Sequence, residues 1–251
     1  MRILVTFAVE AEFAPWRKLR DFKKKTIAKG GTLFYDGALG DNNLGILLTG
    51  IGSSKCEESL AAYDALQGER PNVLISSGLA GALKDTMKPG DLFVPERVRT
   101  LKNDANVTAD PILREKAVWQ GASAIETLIT MTRLVSTAEE KSRLAFFGQA
   151  VDMESAIIMA HFAGMVVPAV TIRAVSDAAN EDLPIDFDRC LTSQGAIKPM
   201  SLVNAIVKRP GKLPNLVRFG RQSNLAAQKL AAFLDQFVGT LPAVREKAAI
   251  L

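Results

Sequence analysis

Acidic residues stand at three places where the chain leaves an apolar run. Glu10 and Glu12 follow "RILVTFAV", Asp152 and Glu154 sit in "AVDMES", and Asp177 lies in "AVSDAAN" after "MVVPAVTI". A carboxylate in such a position can cap a helix, or it can move a proton. Two glycine corners, "TGIGSS" and "SSGLAGAL", end in the same layer, where exposed backbone N–H groups and small side chains let a ring system come close. There is one histidine and no cluster with metal-ligand spacing. These residue types point to acid/base chemistry on a small polyhydroxy or heterocyclic substrate.

Strands and helices have to bring these groups to one cleft. "RILVTFAV" reads as a first strand that runs into the helix "EAEFAPWRKLRDF", whose acids precede its bases as the helix dipole prefers. "TLFYDGAL" and "NLGILLTG" read as strands joined at Gly40, Asp41 and Asn42, and "CEESLAAYDAL" as an amphipathic helix. "PNVLISSG" is a buried strand, "LAGAL" a corner, and "KPGDLFVPERV" a turn plus strand. Between Asn103 and Met131 the pattern weakens, with a helix over "PILREKAVWQGA". "TRLVSTAEEKSRLAFF" predicts a strand, a cap at Ser136 or Thr137 and a helix. "QAVDMESAIIMAHFAGM" turns from a short strand into a helix with Ala156, Met159, Ala160 and Ala163 on its packed face. "NLVRFGRQSNLAAQKLAAFLDQF" reads as one basic amphipathic helix or a pair, and "LPAVREKAAIL" as a loosely held end. Alternation of this kind predicts an α/β fold, a three-layer α/β/α sandwich around a central mixed sheet. In such sheets substrates bind beyond the carboxyl ends of the strands.

With 251 residues and 48% hydrophobics, one large α/β domain is expected, its catalytic part spanning 1–188 and a basic helical extension, 189–251, packed on it. The first residues lack the character of a signal peptide, and no segment has the roughly 18 uninterrupted apolar residues of a membrane span. Cys56 and Cys190 have no paired spacing, so a reducing, cytoplasmic setting is expected, without disulfide or zinc. Net charge is +4, and no acidic residue occurs between Arg189 and Leu234 while eight basic ones do, among them Lys208, Arg209, Arg218, Arg221 and Lys229. That stretch is a solvated or oligomer-contacting face, or a dock for anionic phospholipid. Phe219 is the single aromatic between its basic residues, which argues against nucleic acid.

"ILVTFAVEAE", "LLTGIGSS", "LISSGLAGAL" with "KPGDLFVPE", and "AVDMESAIIMAHFAGMVVPAVTIRAVSDAAN" together resemble the successive signatures of the purine nucleoside phosphorylase and methylthioadenosine/S-adenosylhomocysteine nucleosidase superfamily. "VSTAEEKSRL" and the tail "DLPIDFDRCL…RPGKLPNLVRFGRQS" are similar to the hopanoid-associated phosphorylases, which the resemblance implies release adenine from adenosylhopane. The resemblance implies cleavage of the N-glycosidic bond of a purine nucleoside or 5′-substituted adenosine without a cofactor, phosphate being an alternative co-substrate, and a homodimer. It makes Asp177 the acid at the base's N7, which would have to keep its proton near neutrality, and Ser176 the group that orients it. It puts Met153 under the ribose and Glu154 on the ribose hydroxyls. Gly78, Ala80 and Gly81 would line the pocket, and Glu12 would activate water. Leu79 stands where the nucleosidases have serine, and no aromatic that would stack on the base is evident around Thr137. The phosphate-holding arginines of the phosphorylases are not recognisable in "VEAEFAPW", which favours water as nucleophile.

Each role has a plainer rival. Asp177 could be an N-cap, Glu154 a first-turn acid, Glu12 a surface charge, His161 a packing residue and Arg173 a strand-end ion pair. Among other classes, "TGIGSSK" with Glu69 downstream suggests an NAD-dependent oxidoreductase, but Lys55 occupies the third glycine of that fingerprint. The remaining alternative is an inactive nucleoside-binding module, given Leu79.

Overall fold

The computed structural model describes residues 1–26, 31–66, 70–101, 105–184 and 213–242. The first half alternates β1 (Arg2–Phe7), α1 (Glu10–Leu19), β2 (Lys23–Thr26), β3 (Leu33–Leu39), β4 (Asn42–Leu48), α2 (Ser53–Leu66), β5 (Val73–Ala82) and β6 (Leu92–Thr100). The second half adds β7 (Asn106–Thr108), α3 (Pro111–Trp119), β8 (Ser123–Thr130), α4 (Ala138–Leu144), β9 (Ala150–Asp152), α5 (Ser155–Ala163), β10 (Ala169–Asp177) and α6 (Leu213–Thr240).

The strands form one mixed sheet. Its path runs β2-β3-β4-β1-β5-β9-β8-β6-β10, with β7 added beside β6. β1 is parallel to both β4 and β5, which suits the near-continuous burial of "RILVTF" between two helical layers. β10 also pairs along β5 from Leu74 to Gly81, so β5, β9, β8, β6 and β10 close into a ring. β5 makes this closure feasible because it extends through "GLAGA", which the sequence suggested as a corner, and Gly78 takes a φ of +145° there.

Helices α1, α3 and α6 share one core with the sheet, where Phe13, Trp16, Leu113, Leu230 and Leu234 meet Ile3, Val5 and Ile75. On the other face α2 and α5 bury Leu60, Tyr63, Ile158 and Phe162 against Leu4, Leu47 and Leu74. This is the expected three-layer α/β/α arrangement around a mixed sheet. The basic C-terminal pattern resolves into a single helix. In α6, Ala226, Ala227, Leu230, Ala231, Leu234, Phe237 and Val238 make one helical stripe against α1 and β10. Asp235 accepts from Trp16 Nε1 at 3.0 Å and from Arg20 through two 2.7 Å bonds.

Some local expectations need correction. β2 and β8 were not evident from pattern, and the strand expected at "TRLV" is irregular backbone because β8 ends at Thr130. On α5, Ser155, Ile158 and Phe162 are buried with Ala156 and Met159, while Ala160 and Ala163 face outward. Leu241 is buried, and Asn42 Nδ2 donates to its carbonyl at 3.1 Å, while the rest of the segment expected to be loosely held, residues 243–251, lies outside the described residues. Residues 189–212, with five of the eight basic residues, lie outside the described residues, as does Cys190.

Truncating the α6 stripe should cost the whole domain. Leu234→Ala, at a fully buried position, is expected to lower the unfolding free energy by about 2–5 kcal/mol, and Leu225→Ala, at a half-exposed one, by less than about 0.5 kcal/mol, in urea titrations.

Candidate active site

The acidic strand ends converge. A cavity of about 380 Å³ is lined by Glu12 from α1, Met153 and Glu154 from the β9–α5 junction, and Ser176 and Asp177 from the end of β10. Leu79, Ala80 and Gly81 of β5 form its floor. Gly78 lies just behind this floor and is not part of the cavity wall. Its role is spatial: a Cβ there would sit 2.6 Å from Arg173 Nη1 and 3.2 Å from the Glu12 carboxylate oxygens.

Asp177 reaches the cavity through an irregularity. β10 and β5 slip register between Val175 and Asp177, which places Asp177 opposite Gly81. Such a bulge re-aims a side chain at a strand end. A Cβ on Gly81 would lie 3.1 Å from Asp177 Oδ2, so a larger residue would press on the carboxylate. Ser176 Oγ donates to Asp177 Oδ1 at 2.5 Å, the contact the resemblance implied. The N-cap alternative for Asp177 has no support, since Asp177 ends a strand and is followed by irregular backbone.

The partner that sequence reading missed is Lys141. Its Nζ lies 2.5 Å from Asp177 Oδ2, and it also donates to the carbonyls of Ala178 at 2.8 Å and Glu181 at 2.9 Å. The side chain has 0% exposure. Short as it is, α4 is fixed at its start by two side chains: Thr137 Oγ1 accepts from Glu140 N, and Asp182 Oδ1 accepts from Ala138 N. The signal in sequence was Lys141 three residues before Leu144, on the helix face that has to be buried.

Glu10 and Glu12 divide. Glu10 turns away to accept from Tyr35 Oη at 2.8 Å and to pair with Arg17 at 2.9 Å. Glu12 turns inward, where it accepts from Ala8 N at 2.9 Å and Leu79 N at 3.0 Å. Burial raises the Glu12 carboxyl above its ordinary range, against the opposing pull of Arg173. Thus the Leu79 side chain offers no polar group, but its backbone N–H is committed to Glu12.

Glu154 stands at the N-cap position of α5 without capping it by its side chain; Oε1 instead accepts from Gly52 N at 2.8 Å. Gly52, at φ +85°, is where "TGIGSS" turns that N–H toward the site. Burial, reinforced by the neighbouring Asp152, pushes the Glu154 carboxyl up to about 8. Asp152 itself is structural. It accepts from Thr130 Oγ1 at 2.7 Å and pairs with Arg173 at 2.9 Å, and Arg173 also donates to Ser155 Oγ at 2.7 Å. The ion-pair reading of Arg173 therefore describes its contacts. His161 Nε2 lies on the far side of α5, 3.1 Å from Asp64. Among the described residues no group of three or more His, Cys, Asp or Glu side chains is arranged to hold a metal ion, and no helix is long and apolar enough to cross a membrane.

Sheet, bulge and carboxylate set define the class. The chain belongs to the phosphorylase superfamily, whose family model matches residues 2–208. Among curated relatives it is 28% identical over 217 residues to the 5′-methylthioadenosine/S-adenosylhomocysteine nucleosidase of Staphylococcus epidermidis, covering 76% of this chain and 92% of that one. The fold is shared with the S-adenosylhomocysteine nucleosidase of Streptococcus pyogenes in complex with 5-methylthiotubericidin, at TM-score 0.72 and 19% identity, over 97% of this chain and 98% of that one. It is shared too with a futalosine hydrolase mutant of Helicobacter pylori, at TM-score 0.71 and 18% identity, over 96% and 100% of the two chains.

The raised Glu154 carboxyl makes stability depend on pH. The folded chain binds that proton more tightly than the unfolded chain, so the contribution is complete below about pH 4.5 and is lost as pH rises through about 8. Urea titrations across that window should show a steeper decline for the wild type than for Glu154→Gln, which keeps an acceptor for Gly52 and has no proton to lose; equal slopes would contradict the assignment.

Proposed function

We propose that this chain is an enzyme that cleaves the N-ribosyl bond of a purine nucleoside or 5′-substituted adenosine and releases adenine, with water as the nucleophile. The observation that carries the reading is the meeting of Asp177, Glu154 and Glu12 in one cavity from three separate strand ends. The nucleosidase relative supports the adenosine class of substrate.

Breaking the bond leaves negative charge on the purine and positive charge on the ribose. Asp177 serves as proton donor to N7 of the base, with Ser176 fixing its orientation. Glu154 accepts from the ribose hydroxyls, bonds that strengthen as the sugar becomes cationic, and Met153 packs under the ring. Glu12, whose carboxyl burial has made more basic, takes a proton from the attacking water. Leu79, Ala80 and Gly81 let base and sugar lie against β5. Phosphate suits this site poorly. Of the guanidiniums nearest the cavity, Arg173 is engaged by Asp152 and Arg133 by Glu140, so an added anion would have to compete with a carboxylate for either one.

Away from the carboxylates the cavity wall is mostly apolar, made of Leu134, Val135 and Leu183 and of Phe219 and Ala227 of α6, with Arg133, Ser223 and Asn224 among them. That wall fits an apolar 5′ substituent. A second reading, phosphorolysis of an adenosine with a large apolar 5′ group such as adenosylhopane, draws on the same wall. On α6, exposed Leu213, Val217 and Leu225 stand beside Arg218 and Arg221, a composition that suits an anionic lipid surface at the cavity mouth.

Incubation with 5′-methylthioadenosine should release adenine and the free thiosugar at the same rate with and without phosphate. A requirement for phosphate would reverse the choice of nucleophile, and failure to release base from a panel of 5′-substituted adenosines would end the proposal. Asp177→Asn should lower kcat by about 10²–10⁴-fold with a native circular dichroism spectrum. For the membrane reading, sedimentation with phosphatidylserine vesicles should show binding that salt reverses, and its absence leaves α6 with a solvated face only.

A further inference from the structure

The geometry assigns Lys141 as a positioning residue for the departure of the base: we propose that its ammonium holds the Asp177 carboxyl group and offsets the negative charge that Asp177 acquires when it gives its proton away. This rests on the reading of Asp177 as the proton donor.

Lys141 does not line the cavity and is fully buried behind Asp177. Its three N–H bonds are directed at Asp177 Oδ2 and at the carbonyls of Ala178 and Glu181, which leaves none to offer a substrate. Whatever it does for the reaction is done through Asp177. Asp177 Oδ1 is held in turn by Ser176. The carboxyl is therefore gripped at both oxygens, with Gly81 leaving open the side toward the cavity.

The step balances as follows. The ribosyl C–N bond breaks and its electron pair goes to the base. N7 of the base gains the proton of the Asp177 carboxyl, and Asp177 is left as a carboxylate. That anion forms in a buried place, where an unpaired charge is costly. An ammonium already in contact needs no reorganisation to stabilise it, which is the condition for an electrostatic contribution to the transition state. The water oxygen bonds to C1′ of the sugar as its proton passes to Glu12. Lys141 keeps all its protons throughout, and once the products leave Glu12 gives its proton to solvent while Asp177 takes one up, so each turnover consumes one water. The same grip on Ala178 and Glu181 ties the chain after β10 to α4, so the acid cannot swing away from the base.

The test compares leaving groups. Adenine departs with a proton; 4-nitrophenolate departs without one. For Lys141→Met, kcat on 5′-methylthioadenosine should fall by about 10²–10³-fold. On a 4-nitrophenyl β-D-riboside bearing the same 5′ group it should fall by less than about 5-fold, because no proton is delivered in that reaction. The ratio of the two rates is the readout, and Lys141→Arg, which keeps the charge, should restore most of it. A merely structural Lys141 would lower both rates together and leave the ratio unchanged, which overturns the proposal, as does a wild-type rate on 5′-methylthioadenosine in Lys141→Met. Should Lys141→Met fail to fold, Lys141→Arg against Lys141→Gln carries the comparison: equal ratios in those two overturn it. Asp177→Asn separates this inference from the one beneath it. An unchanged ratio there removes Asp177 as the acid, whereas a collapsed ratio in Asp177→Asn with a normal one in Lys141→Met removes only the role of Lys141.

Discussion

The cavity depends on one buried guanidinium. Arg173 lies in the middle of β10 at 2% exposure, and its head group reaches Asp152, Ser155 and Ser76 beneath β5. Three carboxylates, Glu12, Asp152 and Glu154, surround it, and burial alone would make that assembly strongly unfavourable. Asp152 takes the direct ion pair, while Glu12 and Glu154 receive backbone N–H bonds and a longer-range pull from the same charge. The glycine at position 78 follows from this arrangement. Arg173 Nη1 and the Glu12 carboxylate occupy the space where a side chain would begin, so the requirement is set by the ion cluster as much as by the φ of +145°.

Around that charge the fold supplies directions. Parallel β1, β5 and β10 point their carboxyl ends the same way, which is how α1, β5 and the end of β10 come to share a cleft although the chain separates them widely. Two departures from regularity finish the placement. Gly52 turns a backbone N–H onto Glu154, and the slipped register before Asp177 turns its side chain over Gly81. Each is a local conformation that a regular strand or helix would not produce.

Much of this was legible in the residues. Apolar runs and helix caps were enough to place the main elements, and the order of the acidic motifs was enough to indicate a shared cleft, because both signals are local. What escaped was set by tertiary contact. β8 reads "SAIETLIT", with an exposed, polar first half, and it becomes a strand through its parallel pairing with β6 and β9. β2 is "KKKT", fully exposed, and is held by β3 alone. Glu10 and Glu12 could not be told apart by spacing, and the aromatic Tyr35 from a different hairpin decides between them. Lys141 was hidden for the opposite reason. In a short helix rich in charge its place on the buried face is the one local hint, and the Asp177 carboxylate and the Ala178 and Glu181 carbonyls explain why that face can take a lysine.

The cavity is polarised along its length, and this sets how a nucleoside would lie. At the β5 end the groups are acidic and hydrogen-bonded, with Glu12 and Glu154 flanking Leu79 and Asp177 above Gly81. Toward α6 the wall is Leu183, Phe219 and Ala227, with Ser223 and Asn224 between. A ribose has its hydroxyls on one edge and its 5′ carbon on the other, so satisfying Glu154 with the hydroxyls directs the 5′ substituent to the apolar wall. The reverse orientation would bury an apolar group among carboxylates and leave the hydroxyls against phenyl and leucyl side chains, costing hydrogen bonds at both ends. α6 therefore does more than close the core. The residues that pack it on α1 also hold the apolar half of the cavity in place.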